Sequence, residues 1–194
     1  DTELTNDFWE IQLPSRLATS AASGPVLYAY NASLVLLSAR PLFSRLSLAE
    51  LMEPTLHAPR SPIERHHLFP KAYLKKIGID KQVQYNQIAN QSFLEWPDNA
   101  AIGAKAPSEY FPSLFAELGE DEQEKARFWH ALPEGWEDME YSTFLDARRQ
   151  LIADVIRKAF TELRSGKAPI DDQIASSPQL PPRRSVAELV SEME

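Results

Sequence analysis

"ERHHLFPKAYLKK", residues 64–76, decides how this chain is read. Only four histidines occur in 194 residues, and two of them, His66 and His67, stand side by side ahead of an apolar pair and a proline. "PIERHHLF" (62–69) is too short and irregular for a helix and predicts a brief extended run. Side chains alternate between the two faces of a strand, so adjacent histidines there point to different sides and can do different work. From Pro70 the pattern predicts one or two helical turns, with Pro70 at the first position and Gly78 as the stop.

Working outward, "YNQIANQSFLEW" (85–96) predicts a loop leading into a short strand, since its asparagines favour turns and bulges. "PDN" (97–99) predicts a turn, and "PSEYFPSLFAELG" a helix entered at Pro107 and Ser108. The clearest helix runs over 141–166. Phe144, Leu145, Ile152, Val155, Ile156, Ala159, Phe160 and Leu163 form one stripe of core packing there, and Gly166 suits the C-cap. Upstream, Pro14 and Ser15 predict a helix start. Residues 26–39 read as a helix buried on most sides through Leu27, Ala29, Tyr30, Leu34, Leu36 and Leu37, ending at Pro41. "SLAELM" (47–52) has capping-box spacing from Ser47 to Glu50.

Composition bounds the function. With no cysteine, disulfides and thiolate metal sites are excluded. The longest apolar run, 26–39, is too short to span a bilayer. A net charge of −8 argues against a surface that is a nucleic-acid platform throughout. The charge is uneven, however. Residues 60–81 carry Arg60, Arg65, Lys71, Lys75, Lys76 and Lys81 against only Glu64 and Asp80, whereas 117–140 carry nine acids against Lys125 and Arg127. A basic patch on an acidic chain suits an anion approaching one face, and a solvated lysine face suits it equally.

Phosphodiester hydrolysis needs a base that is neutral near pH 7, for which imidazole is suited. It also needs a hard cation to neutralise the phosphate, held by imidazole nitrogen and amide or carboxylate oxygen with positions left open for water and substrate. The doubled histidine offers both parts.

"IERHHLFPKAYL", "NQIANQSFLEWPDNAAIG" and "PSEYF", in that order, resemble the HNH or ββα-metal nuclease motif. More closely, residues 6–165 resemble the C-terminal domain of GmrSD-type modification-dependent restriction endonucleases. The resemblance implies an α+β fold, a mostly helical scaffold enclosing a small ββα-metal finger. It implies His67 as general base, Asn90 as the middle asparagine bracing the base-bearing loop, and His66 with Asn99 as ligands of a divalent metal, Mg²⁺ or Mn²⁺. Asp98 competes with Asn99 for the ligand role. Lys71, Lys75 and Lys76 become candidate phosphate contacts. The separation of 23 residues between His67 and Asn90 is longer than in compact members and requires "KAYLKKIGIDKQVQ" as an insertion. His57 and His130 match no motif and read as ordinary surface or core histidines.

The organisation expected is a helical segment over 1–60, the finger over 61–115, a helical packing segment over 116–166 and a Pro-rich tail over 167–194, with a short helix at Val186 to Met193. The start at Asp1 reads as part of a longer chain. The resemblance implies DNA as partner, an N-terminal nucleotide-hydrolysing domain outside this chain, a cytoplasmic bacterial or archaeal setting and a role in phage defence. One finger cuts one strand, so a double-strand break implies a dimer or two events. The alternative is a catalytically silent DNA- or partner-binding module with a structural metal site.

Overall fold

The computed structural model describes residues 4–44, 47–48, 63–95 and 102–166. The turn carrying Asp98 and Asn99, His57, most of the 47–52 segment and the tail lie outside them. The fold is α+β: helices dominate, with one two-stranded antiparallel sheet. In chain order come a π-helical turn (Phe8–Gln12), α1 (Leu13–Arg16), α2 (Pro25–Leu36), β1 (Ile63–His67), α3 (Lys71–Lys76), α4 (Gln82–Tyr85), a 3₁₀ turn (Ile88–Asn90), β2 (Gln91–Glu95), α5 (Pro107–Phe115), α6 (Glu120–Trp129), a 3₁₀ turn (Trp136–Asp138) and α7 (Tyr141–Arg164).

The sheet is a ribbon whose register sets His66 opposite Ser92 and His67 opposite Gln91. Ser92 and Leu94 face inward and Gln91, Phe93 and Glu95 less so, the alternation that one covered face produces. Leu42 extends the ribbon's far side by a single parallel bridge to Leu94, with its N–H donating to Phe93 O at 2.8 Å. α7 is the main support, packing on α1, α2 and the turn that leads into β2. Its start is fixed by Glu140, whose carboxylate accepts from the Ser142 and Thr143 amides at 2.9 and 3.2 Å, as an N-cap should.

The apolar pair after the histidines explains itself in the core. Leu68 and Phe69 are buried, and Phe69 enters an aromatic cluster with Phe144 (ring centroids 4.8 Å), Tyr141 (5.2 Å) and Trp136 (5.8 Å). Phe111 closes the cluster against Trp136 at 4.9 Å. Such contacts add about 0.5–1.5 kcal/mol per pair beyond burial, so the end of β1 is pinned by its hydrophobic neighbours and not by the histidines.

Four expectations need correction. Helical backbone is already present at Phe8, and Pro14 lies within it. Proline offers no N–H and crowds the carbonyl four residues back; here that carbonyl, Glu10 O, faces a wide π turn and accepts instead from Gln150 Nε2 at 3.4 Å. Next, α2 stops at Leu36, well before Pro41, because Ser38 takes a left-handed φ of 52°. It is buried on one face only, through Leu27, Tyr30 and Leu34, while Tyr28 is 59% exposed. Leu163 is exposed, since the last turn of α7 runs past its neighbours. The loop expected to lead into a strand over 85–96 is as predicted, with Asn90 in the 3₁₀ turn one residue ahead of β2.

Candidate active site

The end of β1 and the start of α3 frame an open cleft of about 350 Å³. It is lined by Arg65, His66, His67, Pro70, Lys71, Ala72, Lys75 and Gly103. Both adjacent histidines therefore reach one cavity, although strand alternation sends them apart. His66 is buried, its ring edge-on to Tyr110 at 6.2 Å. On the other side, half-buried His67 sets its ring edge-on to Tyr85 at 6.1 Å, and its Nε2 lies 2.9 Å from Asn86 Oδ1.

Burial is the main reason that the His67 pKa lies below the ordinary imidazole value. The Asn86 hydrogen bond pulls it up, and the Lys71 charge pushes it down. The imidazole is thus neutral at physiological pH, the form able to accept a proton. Lys71 and Lys75, four residues apart on α3, share a helix face and line the same cleft. The Lys71 ammonium sits over the Tyr85 ring, 5.0 Å from its centroid. Lys76 is exposed and does not line the cleft.

Asn90 is fully buried and engages backbone only. Its Oδ1 accepts from Phe69 N at 2.8 Å, and its Nδ2 donates to Phe69 O at 3.1 Å and Tyr85 O at 3.0 Å. One side chain thereby ties together the loop after His67, the end of α4 and the approach to β2. Tyr110 adds a brace, donating to Leu68 O at 2.7 Å.

Arg148 braces the same region from α7 and is fully buried. Nε donates to His130 O at 3.0 Å, Nη1 to Ala89 O at 2.7 Å and Nη2 to Gln91 O at 2.8 Å. His130 is a core histidine. Its Nδ1 meets Ser92 Oγ at 2.6 Å and its Nε2 meets Arg40 O at 2.8 Å. Ser92 and His130 are paired like a nucleophile and its base, but both are buried and the second imidazole nitrogen meets a carbonyl, so the pair packs the core.

The sequence marked Arg65 only as part of a basic patch, and gave no sign of Gly103 at the cleft, of Asn86 against His67 or of Arg148 against the turn before β2. The asparagines of 85–96 read as turn formers, and nothing in "RRQ" (148–150) marks the first arginine as buried. Among the described residues no group of three or more His, Asp or Glu side chains gathers about one point. An ion held at His66 would take one imidazole there and would have to draw the rest of its coordination from water and substrate, an open site and not a closed cage. Asn99, the second expected ligand, lies outside the described residues. No described helix is long and apolar enough to cross a membrane.

The chain matches no family model, no curated protein and no solved structure.

Proposed function

We propose that this chain carries an HNH-type endonuclease site that hydrolyses DNA phosphodiester bonds. The observation that supports this reading best is the meeting of a neutral, half-buried His67 with Arg65, Lys71 and Lys75 in one open cleft. The cations attract the phosphodiester, and His67 takes a proton from the attacking water. Lys71 serves both ends, since its charge draws the phosphate and disfavours protonation of the base. Asn90 acts as a positioning residue, holding the Phe69 backbone so that the strand end bearing His67 keeps its place.

His66, with Asn99, would hold a divalent cation, which when bound supplies positive charge to the scissile phosphate. DNA as the polymer, the restriction and defence setting, the cytoplasmic location and the nucleotide-hydrolysing partner domain rest on the sequence resemblance. A double-strand break requires a second copy or a second event.

Supercoiled-plasmid nicking with Mg²⁺ or Mn²⁺ tests the reading, comparing the wild-type chain with His67→Ala. The expected loss is on the order of 10²–10⁴-fold, that of a deleted general base. Metal-dependent nicking that is equal in both proteins would refute the assignment.

A further inference from the structure

An imidazole is a directed base only if one of its nitrogens is kept as the acceptor. At His67 the ring nitrogen Nε2 lies 2.9 Å from Asn86 Oδ1. An amide oxygen only accepts, so the nitrogen facing it must carry the hydrogen. The other tautomer would set two lone pairs against each other at that distance. Nε2–H therefore donates to Asn86, and Nδ1 keeps its lone pair.

Asn86 is itself held from several sides. Its amide N–H donates to Gln82 O at 2.9 Å as α4 ends, and its carbonyl accepts from Gln91 Nε2 at 3.4 Å. One residue earlier, Tyr85 O accepts from Asn90 Nδ2, and the Tyr85 ring contacts both His67 and the Lys71 ammonium. The "YN" at 85–86 thus touches both the base and the cation beside it.

We infer that Asn86 is a second positioning residue of this site: it holds His67 as the Nε2–H tautomer and presents Nδ1 as the proton acceptor. Asn90 sets the backbone on which His67 sits, whereas Asn86 sets the imidazole. Tyr85 completes the arrangement by keeping Lys71 at the imidazole's side. The kinetic consequence rests on the nuclease reading; the tautomer does not.

The test uses the full chain labelled with nitrogen-15, observed through imidazole proton–nitrogen correlations at mildly alkaline pH. In the wild-type chain His67 should show a single neutral tautomer, with an Nε2–H proton protected from exchange with water. Asn86→Leu, which keeps the volume and removes the acceptor, should lose that protected proton. Asn86→Asp, which restores an acceptor, should recover it. In plasmid nicking, Asn86→Leu should lower kcat about two- to tenfold, the range that one net hydrogen bond supplies, with KM unchanged and rescue by Asn86→Asp. A wild-type His67 protonated on Nδ1, or a protected Nε2–H that survives in Asn86→Leu, overturns the inference. The wild-type spectrum needs no variant, so a substitution that fails to fold leaves that arm intact. Absence of nicking by the wild-type chain would count against the nuclease reading, while the spectra still decide the role of Asn86.

Discussion

Acidification should loosen this protein through a residue far from any chemistry. His130 is buried between Ser92 and the Arg40 carbonyl, and burial, aided by the Arg148 charge, pushes its pKa from 6.5 to about 4. In the unfolded chain the imidazole protonates near 6.5, so between 6.5 and 4 the unfolded state binds more protons. Stability is therefore fully present above about pH 6.5 and is lost as pH falls toward 4. At about 1.4 kcal/mol per pH unit the whole loss is about 3 kcal/mol. By pH ~5, where ordinary carboxylates remain mostly ionised, it is about 2 kcal/mol. His67, whose pKa is also lowered, adds in the same direction. Urea unfolding followed by tryptophan fluorescence, with Trp136 in the core, should show a midpoint about 1 M lower at pH ~5 than at pH ~7 for a slope of about 2 kcal/mol/M. His130→Gln should remove most of that difference whatever its own stability. A wild-type midpoint indifferent to pH over this range, or an unchanged difference in the variant, refutes the reasoning.

Arg148→Met should cost about 3 kcal/mol or more in chemical denaturation, because three carbonyls lose their donors in the interior; a cost under about 1 kcal/mol would mean that water or neighbours replace the guanidinium. Asn90→Ala should destabilise by about 2–4 kcal/mol through three lost backbone hydrogen bonds, and should increase amide exchange at Phe69; protection that stays unchanged there would contradict the bracing role. Replacing Lys71 and Lys75 together by alanine should weaken binding to duplex DNA and reduce the slope of log affinity against log salt by about 2, close to 0.9 per phosphate contact. An unaltered slope would place the phosphates elsewhere.

Much of the lining of the candidate cleft could be read from local sequence because its parts are local. Alternation along a strand separates His66 from His67, and four-residue spacing on a helix puts Lys71 and Lys75 together. Both hold in the structure, as do the strand before Glu95 and the long helix to Arg164. What failed to show were partnerships across distance. Asn86 meets His67 only because two short helices fold the intervening residues back, and a turn-forming asparagine carries no mark of that return. Arg148 belongs to an arginine pair on an amphipathic helix, where charge ordinarily signals solvent; it turns inward to meet the carbonyls of Ala89, Gln91 and His130. Pro14 does sit in the first turn of an α-helix, but the chain is helical before it, because a π turn precedes that helix and its Glu10 carbonyl finds a partner on α7.

The guanidinium of Arg148 also sets a schedule. Ala89 and Gln91 emerge from the ribosome nearly sixty residues before the side chain that secures their carbonyls, and Phe69 waits still longer for Phe144. Until α7 is made, the ribbon that carries the two histidines lacks these anchors. Under the nuclease reading proposed above, a chain that ends before α7 should be unable to cut, because the donors that secure Ala89 and Gln91 are missing from it.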